Sequence, residues 1–308
     1  MAAVTVLIPD ARQEMFRGLI DYAGLFPPAS RDIAGAVAGY REARGSAEGW
    51  IAGRFLCPAI RLEELAEVLV ATMGRGEGPW PIGVVFDTDP VASAAAATAF
   101  HSEMAPAATV DLAEVRVPPG FGPDEIFRLF TTAASVTETV VPFLEVPGDD
   151  SIPATVGAIA TAVSETLRRG GAKLRCGGPS PDDFPSTEEV AGFIVACTEH
   201  DLPFKTTAGL HHPIRHYDGN IDVMRHGFVN LLTASVAARE GSDVATIEAI
   251  VADTEPDSFE LGFAGVVWQG QRMGHNAIGE TRSNGLIAYG SCEFDEPVRD
   301  LAALGYLP

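Results

Sequence analysis

Short apolar runs alternate along this chain with longer stretches whose apolar positions recur at helical spacing. The strand-like runs are GLIDYAGL (18–25), WIAGRFLCP (50–58), PIGVVFDT (81–88), TVDLAEVRV (109–117), TVVPFLEV (139–146), GAKLRCG (171–177), PFKTTAGL (203–210) and GLIAYGSC (285–292). Between them, segments 33–44, 61–73, 149–169, 186–200 and 226–240 carry the helical pattern. Ser186, followed three positions later by Glu189, predicts a capping box at a helix start. Arg168-Arg169 followed by Gly170-Gly171 predicts a helix end, with cations in the last turn and glycine beyond.

Eight strands alternating with helices, about 30 residues apart, predict a parallel sheet with crossover helices. Eight units favour a single closed (β/α)8 TIM barrel spanning 1–308 over an open doubly wound sheet. No GxGxxG opens the first helix, which disfavours a dinucleotide-binding fold. The rhythm breaks at 241–284. That stretch holds a short helix pattern (243–252), the apolar run FAGVVW (263–268) and a segment rich in Gly, Arg and Asn. It reads as an insertion before the last strand and as a candidate lid.

Side chains alternate faces along a strand. In 203–211 one parity is Phe204, Thr206, Ala208 and Leu210; the other is Lys205, Thr207, Gly209 and His211. In 171–177 the polar parity is Lys173 and Arg175. The polar sets are expected to line the barrel. Lys173 and Lys205 are the only lysines in the chain, against nineteen arginines. Arginine stays protonated, whereas a desolvated lysine can act as a base or a Schiff-base nucleophile. Interior cations need carboxylates or an anionic ligand beside them. Asp87, Glu114 and Glu145 fall at or near the carboxyl ends of predicted strands, the end at which such barrels place their sites, and Asp21 lies within the first.

GLHHPIRH (209–216) brings His211, His212 and His216 within six residues. The spacing matches no standard zinc motif, but the three could join Glu145 or Asp87 around a divalent metal. His226 reads as a cap for the helix that follows it. Gly177-Gly178 and Gly290-Ser291 are candidate anion cradles. Cys57, Cys176, Cys197 and Cys292 are widely spaced, with no CxxC pair; Cys292 ends the last strand, where it could reach the mouth.

The net charge of −21 and pI of about 4.6 argue against nucleic acid and anionic membrane as partners. No apolar run reaches spanning length, and residues 1–15 lack the pattern of a signal peptide. A cytoplasmic location is expected, with a small anionic substrate as partner; a homo-oligomer is left open.

The string Lys205-Thr206-Thr207-Ala208-Gly209 resembles the Lys-Thr-Ser-Thr-Gly strand end of the deoxyribose-phosphate aldolases, class I aldolases on a (β/α)8 barrel. The likeness covers five residues of 308. It implies Lys205 as Schiff-base nucleophile and Lys173 as the second lysine that tunes its pKa. Two departures stand against a direct transfer. The second lysine here precedes the motif, and the motif falls on the seventh strand, one later than in the family, so the two roles could be exchanged.

The leading expectation is a cofactor-free lysine-dependent lyase or isomerase acting on a small anionic carbonyl compound. Lys205, Lys173, Glu145 and Asp87 would carry the chemistry. Arg175, Thr207, His211, His212, Asp21 and Ser291 would bind substrate. One alternative is a divalent-metal hydrolase or isomerase built on His211, His212 and His216. The other is a non-catalytic barrel that binds an anionic metabolite.

Overall fold

A computed structural model describes residues 10–74, 77–149 and 151–308; most of the segment read for a targeting signal therefore lies outside the described residues. Eight parallel strands close into a barrel: β1 (Ile20–Tyr22), β2 (Ala52–Pro58), β3 (Trp80–Val85), β4 (Ala108–Arg116), β5 (Val141–Glu145), β6 (Gly171–Arg175), β7 (Phe204–Thr207) and β8 (Leu286–Ser291). Each strand pairs with its sequence neighbour, and β8 pairs back onto β1. The architecture is the (β/α)8 barrel that the alternation predicts, with helices wrapped around it. Among the described residues no helix is long and apolar enough to cross a membrane.

The outward parity packs against the helices. Tyr22, Tyr40, Phe55 and Trp80 form one such layer, with ring centroids 4.7–6.0 Å apart. On the far side Tyr289 stacks on Phe228 at 5.0 Å. The capping box forms as read: the Glu189 amide donates to Ser186 Oγ at 3.1 Å, and the Ser186 amide donates to Glu189 Oε2 at 2.6 Å.

Three local readings are corrected. The helix Ile152–Thr166 ends not at the glycine pair but at Leu167, which takes the left-handed conformation at φ 53°. Gly170 is required for another reason: a side chain there would collide with the Phe130 ring. Arg168 reaches across to the carbonyls of Ala134 and Thr137, at 3.0 and 2.7 Å. His226 caps nothing; the cap of Phe228–Arg239 is Gly227. His226 is instead a buried tie, its Nε2 donating to Pro185 O at 2.7 Å and its Nδ1 accepting from Arg215 at 3.0 Å.

Segment 241–284 does not cover the mouth. It continues from the helix Phe228–Arg239, which returns from the carboxyl end of β7, and it enters β8 from below. It contains the helix Val244–Ala252, a three-stranded antiparallel sheet (Phe259–Gly262, Gly265–Trp268, Gln271–Gly274) and the helix His275–Asn284. The Ala11 amide donates to Phe263 O, and Arg282 donates to the carbonyls of Arg17 and Leu286. All these partners lie at the amino-terminal end of the barrel. The element over the mouth is a hairpin that sequence periodicity did not show, His216–Asp218 paired with Val223–Arg225.

Candidate active site

Lys173 and Lys205 are register partners on adjacent strands, and both side chains point into the barrel. Glu114, from β4 across the interior, stands between them. Its Oε2 lies 2.5 Å from Lys173 Nζ and its Oε1 2.7 Å from Lys205 Nζ. Lys205 is also held by Asp21, and Lys173 by Glu145 Oε2 at 3.0 Å. Glu145 in turn accepts from Arg175 at 3.2 Å and from Arg116 at 3.1 Å. Asp21 accepts from the Arg54 amide at 2.7 Å, and the Arg54 side chain pairs with Asp111 at 2.8 Å. A side chain at Gly53 would collide with Asp21, so glycine is needed for the first carboxylate to enter the interior. Charges thus alternate from Asp111 and Arg54, low in the barrel, to Arg116 and Arg175 at its mouth.

Burial alone would neutralise these groups; here each is offset by its neighbours. Burial raises the Glu114 carboxyl, but the ammonium groups of Lys173 and Lys205 overcome it and hold it down to about 2. Glu145 is likewise raised by burial, then brought down by Lys173 and Arg175. Burial disfavours the Lys173 ammonium, but Glu114 and Glu145 more than compensate, so its pKa is raised. The resting state is therefore an ammonium clamped between carboxylates. The sequence could not show a carboxylate seated between the two ammonium groups.

A cavity of about 740 Å³ opens at the carboxyl ends of the strands. Its floor includes Glu114, Glu145 and Lys173, its rim Arg116, Arg175 and Arg225, and its walls Phe26, Leu56, Phe86 and Ile221. Of the two lysines, Lys173 borders this cavity and Lys205 does not. Lys205 is 0% exposed, sealed beneath Glu114. A molecule in the cavity therefore meets Lys173 first, whereas the sequence put Lys205 first.

The other expected site residues divide. Arg175, Thr207, His211 and Asp87 border the cavity, Asp87 from an exposed position where it accepts the Ile60 amide at 3.2 Å. Asp21 is fully buried as a counter-ion to Lys205 and does not reach the cavity. Ser291 is turned away, its Oγ donating to Glu293 O at 2.7 Å. His212 and His216 face a separate recess beside the mouth, packed edge to face at 4.5 Å. The three histidines make different contacts: His211 with Glu296 at 3.0 Å, His212 with Asp300 at 2.6 Å, and His216 with its own loop at Ile214 O. Among the described residues no three His, Cys, Asp or Glu side chains are grouped to hold a metal ion, so this set does not fit the metal expectation. Arg116 and Arg225 were missed as site residues. Arg116 ends β4, and that position was the available signal; Arg225 is brought in by the hairpin and gave none.

No protein-family model matches the chain, and no curated protein matches it.

Proposed function

We propose that the chain is a cytoplasmic, lysine-dependent lyase or isomerase acting on a small anionic carbonyl compound, with Lys173 as the Schiff-base nucleophile. One observation carries the reading: Lys173 borders the cavity with a carboxylate on each side and two guanidinium groups above it. The exchange of roles between the two lysines agrees with the strand count, since Lys173 lies on β6 and the aldolase motif is displaced to β7.

The guanidinium groups of Arg116 and Arg175 would bind the substrate's anionic group. As they turn from Glu145 to the substrate, Glu145 becomes more basic and can take a proton from Lys173, 3.0 Å away. Glu114 is nearer but is held by two ammonium groups, which makes it the weaker base. The neutral amine adds to the carbonyl carbon, and the carbonyl oxygen gains a proton. Loss of water then leaves an iminium ion, so one ammonium and one carbonyl give one iminium and one water. Glu145, restored as carboxylate, can take the proton from a hydroxyl or an adjacent carbon, for bond cleavage or isomerisation. Lys205 would act through Glu114, holding it ionised under the iminium.

The test is borohydride reduction in the presence of glycolaldehyde, glyoxylate or pyruvate, with peptide mapping by mass. The expected adduct is on Lys173, absent in Lys173→Arg and retained in Lys205→Met. An adduct on Lys205 reverses the assignment. Thermal stabilisation by these compounds without any adduct favours a non-catalytic binding barrel and overturns the proposal.

A further inference from the structure

A second reactive constellation lines the same cavity. Cys292 follows β8, and its Sγ lies 3.7 Å from His211 Nε2, within reach of an S–H···N hydrogen bond. The other ring nitrogen of His211, Nδ1, lies 3.0 Å from Glu296 Oε2. A carboxylate at Nδ1 selects the tautomer that carries its proton there, which leaves the Nε2 lone pair facing the thiol. Cys292 and His211 both border the cavity, and Glu296 supports the imidazole from the adjoining recess. The turn that brings His211 over β8 is fixed by Ala208 and Gly209, both left-handed at φ 62° and 70°.

From this geometry we infer that Cys292, His211 and Glu296 form a nucleophile, base and orienting acid, and that Cys292 is a second covalent site for a small aldehyde in the cavity. The arrangement has the logic by which an otherwise weak nucleophile is activated: base within reach, base held by a third group. Burial pushes the Cys292 thiol up, so the resting group is S–H, and its proton leaves only as sulfur attacks. In that step Sγ bonds to the carbonyl carbon while His211 takes the thiol proton. His211 then returns it to the carbonyl oxygen, leaving a neutral hemithioacetal and no leaving group. Cys57, Cys176 and Cys197 are buried too, but none of them borders the cavity, and they provide internal references.

The inference is independent of the role of Lys173. Iodoacetamide alkylation of the full chain, followed at each cysteine by peptide mass, tests it. Cys292 is expected to react at least about ten times faster than the other three, with glycolaldehyde slowing it in both wild type and Lys173→Arg, where no Schiff base can form at that position. His211→Gln and Glu296→Gln are each expected to slow Cys292 severalfold while Cys197 stays unreactive, which shows that the barrel remains folded. Equal rates at all four cysteines, or no effect of either substitution, overturns the relay. Undiminished alkylation in saturating glycolaldehyde overturns the aldehyde assignment.

Discussion

Glu114 binds two ammonium groups with one carboxylate, and both ion pairs are out of water. Removing one partner of a buried pair leaves an uncompensated charge, which costs more than the pair itself contributes. Glu114→Gln is therefore expected to destabilise the barrel by about 3–5 kcal/mol, read from urea unfolding. Adding Lys205→Met removes one of the stranded cations, so the double variant should lose less than the sum of the two single losses. A change below about 1 kcal/mol for Glu114→Gln, the range of exposed ion pairs, would show that water reaches the cluster and that Lys205 is not sealed.

The elements around the barrel separate into those that hold it and those that could gate it. The sheet Phe259–Trp268 with its third strand lies at the amino-terminal end, and Trp268 anchors it by donating to Asp253 Oδ2 at 2.9 Å. Trp268→Ala should cost about 3–5 kcal/mol in unfolding free energy, with borohydride trapping at Lys173 unchanged within about twofold, as expected for an element remote from the mouth. The hairpin over the mouth is secured differently, by Arg225 pairing with Asp218 at 2.6 Å and lying over Phe184 at 5.6 Å. Arg225→Ala is predicted to raise the carbonyl concentration for half-maximal trapping severalfold while the unfolding midpoint stays nearly fixed, because the hairpin buries little apolar surface. The contrast between the two variants distinguishes scaffold from cover. The strands were legible because each is a compact apolar run, and strand parity placed Lys173, Arg175, Lys205 and Thr207 inside. Parity gives the face but not the depth. Strands in a closed barrel are tilted and staggered, so register partners such as Lys173 and Lys205 need not sit equally near the mouth. Nor could spacing show that Glu114, on β4, reaches between lysines of β6 and β7. The helix Pro90–Met104, rich in alanine all round, shows no apolar stripe, whereas Pro123–Ala134 carries one at Ile126, Leu129, Phe130 and Ala133; Pro at the helix start marks both.

Across the whole molecule the buried titratable groups set a stability window in pH. Glu114 and Glu145 have folded pKa values depressed to about 2, below the usual 4.5. Their contribution is present above the unfolded value and is lost as pH falls through that interval. Lys173 is raised above its ordinary 10.5, so its contribution is complete below that value and is lost only on the alkaline side. The first loss on acidification comes from elsewhere. Burial lowers His226 from 6.5 to about 4, and the Arg215 guanidinium facing its Nδ1 acts in the same direction. Between those values the unfolded chain binds a proton that the folded chain refuses, so stability falls as pH drops, by about 3 kcal/mol in all. Urea unfolding at fixed ionic strength should show a plateau from about pH 7 to 8, a shallow decline beginning near 6.5 and a steeper one below 4.5; above the plateau stability falls again, because burial raises the thiols of Cys57, Cys176, Cys197 and Cys292 and only the unfolded chain ionises them there. Fixed salt matters because the net charge of −21 shrinks over the same acid range, and relief of surface repulsion has the opposite sign. In His226→Gln the shallow limb should become smaller, leaving the part that His216, also lowered by burial, contributes, at a lower absolute stability. A decline of undiminished depth in that variant would mean that another histidine, not the tie to Pro185, carries the acid limb.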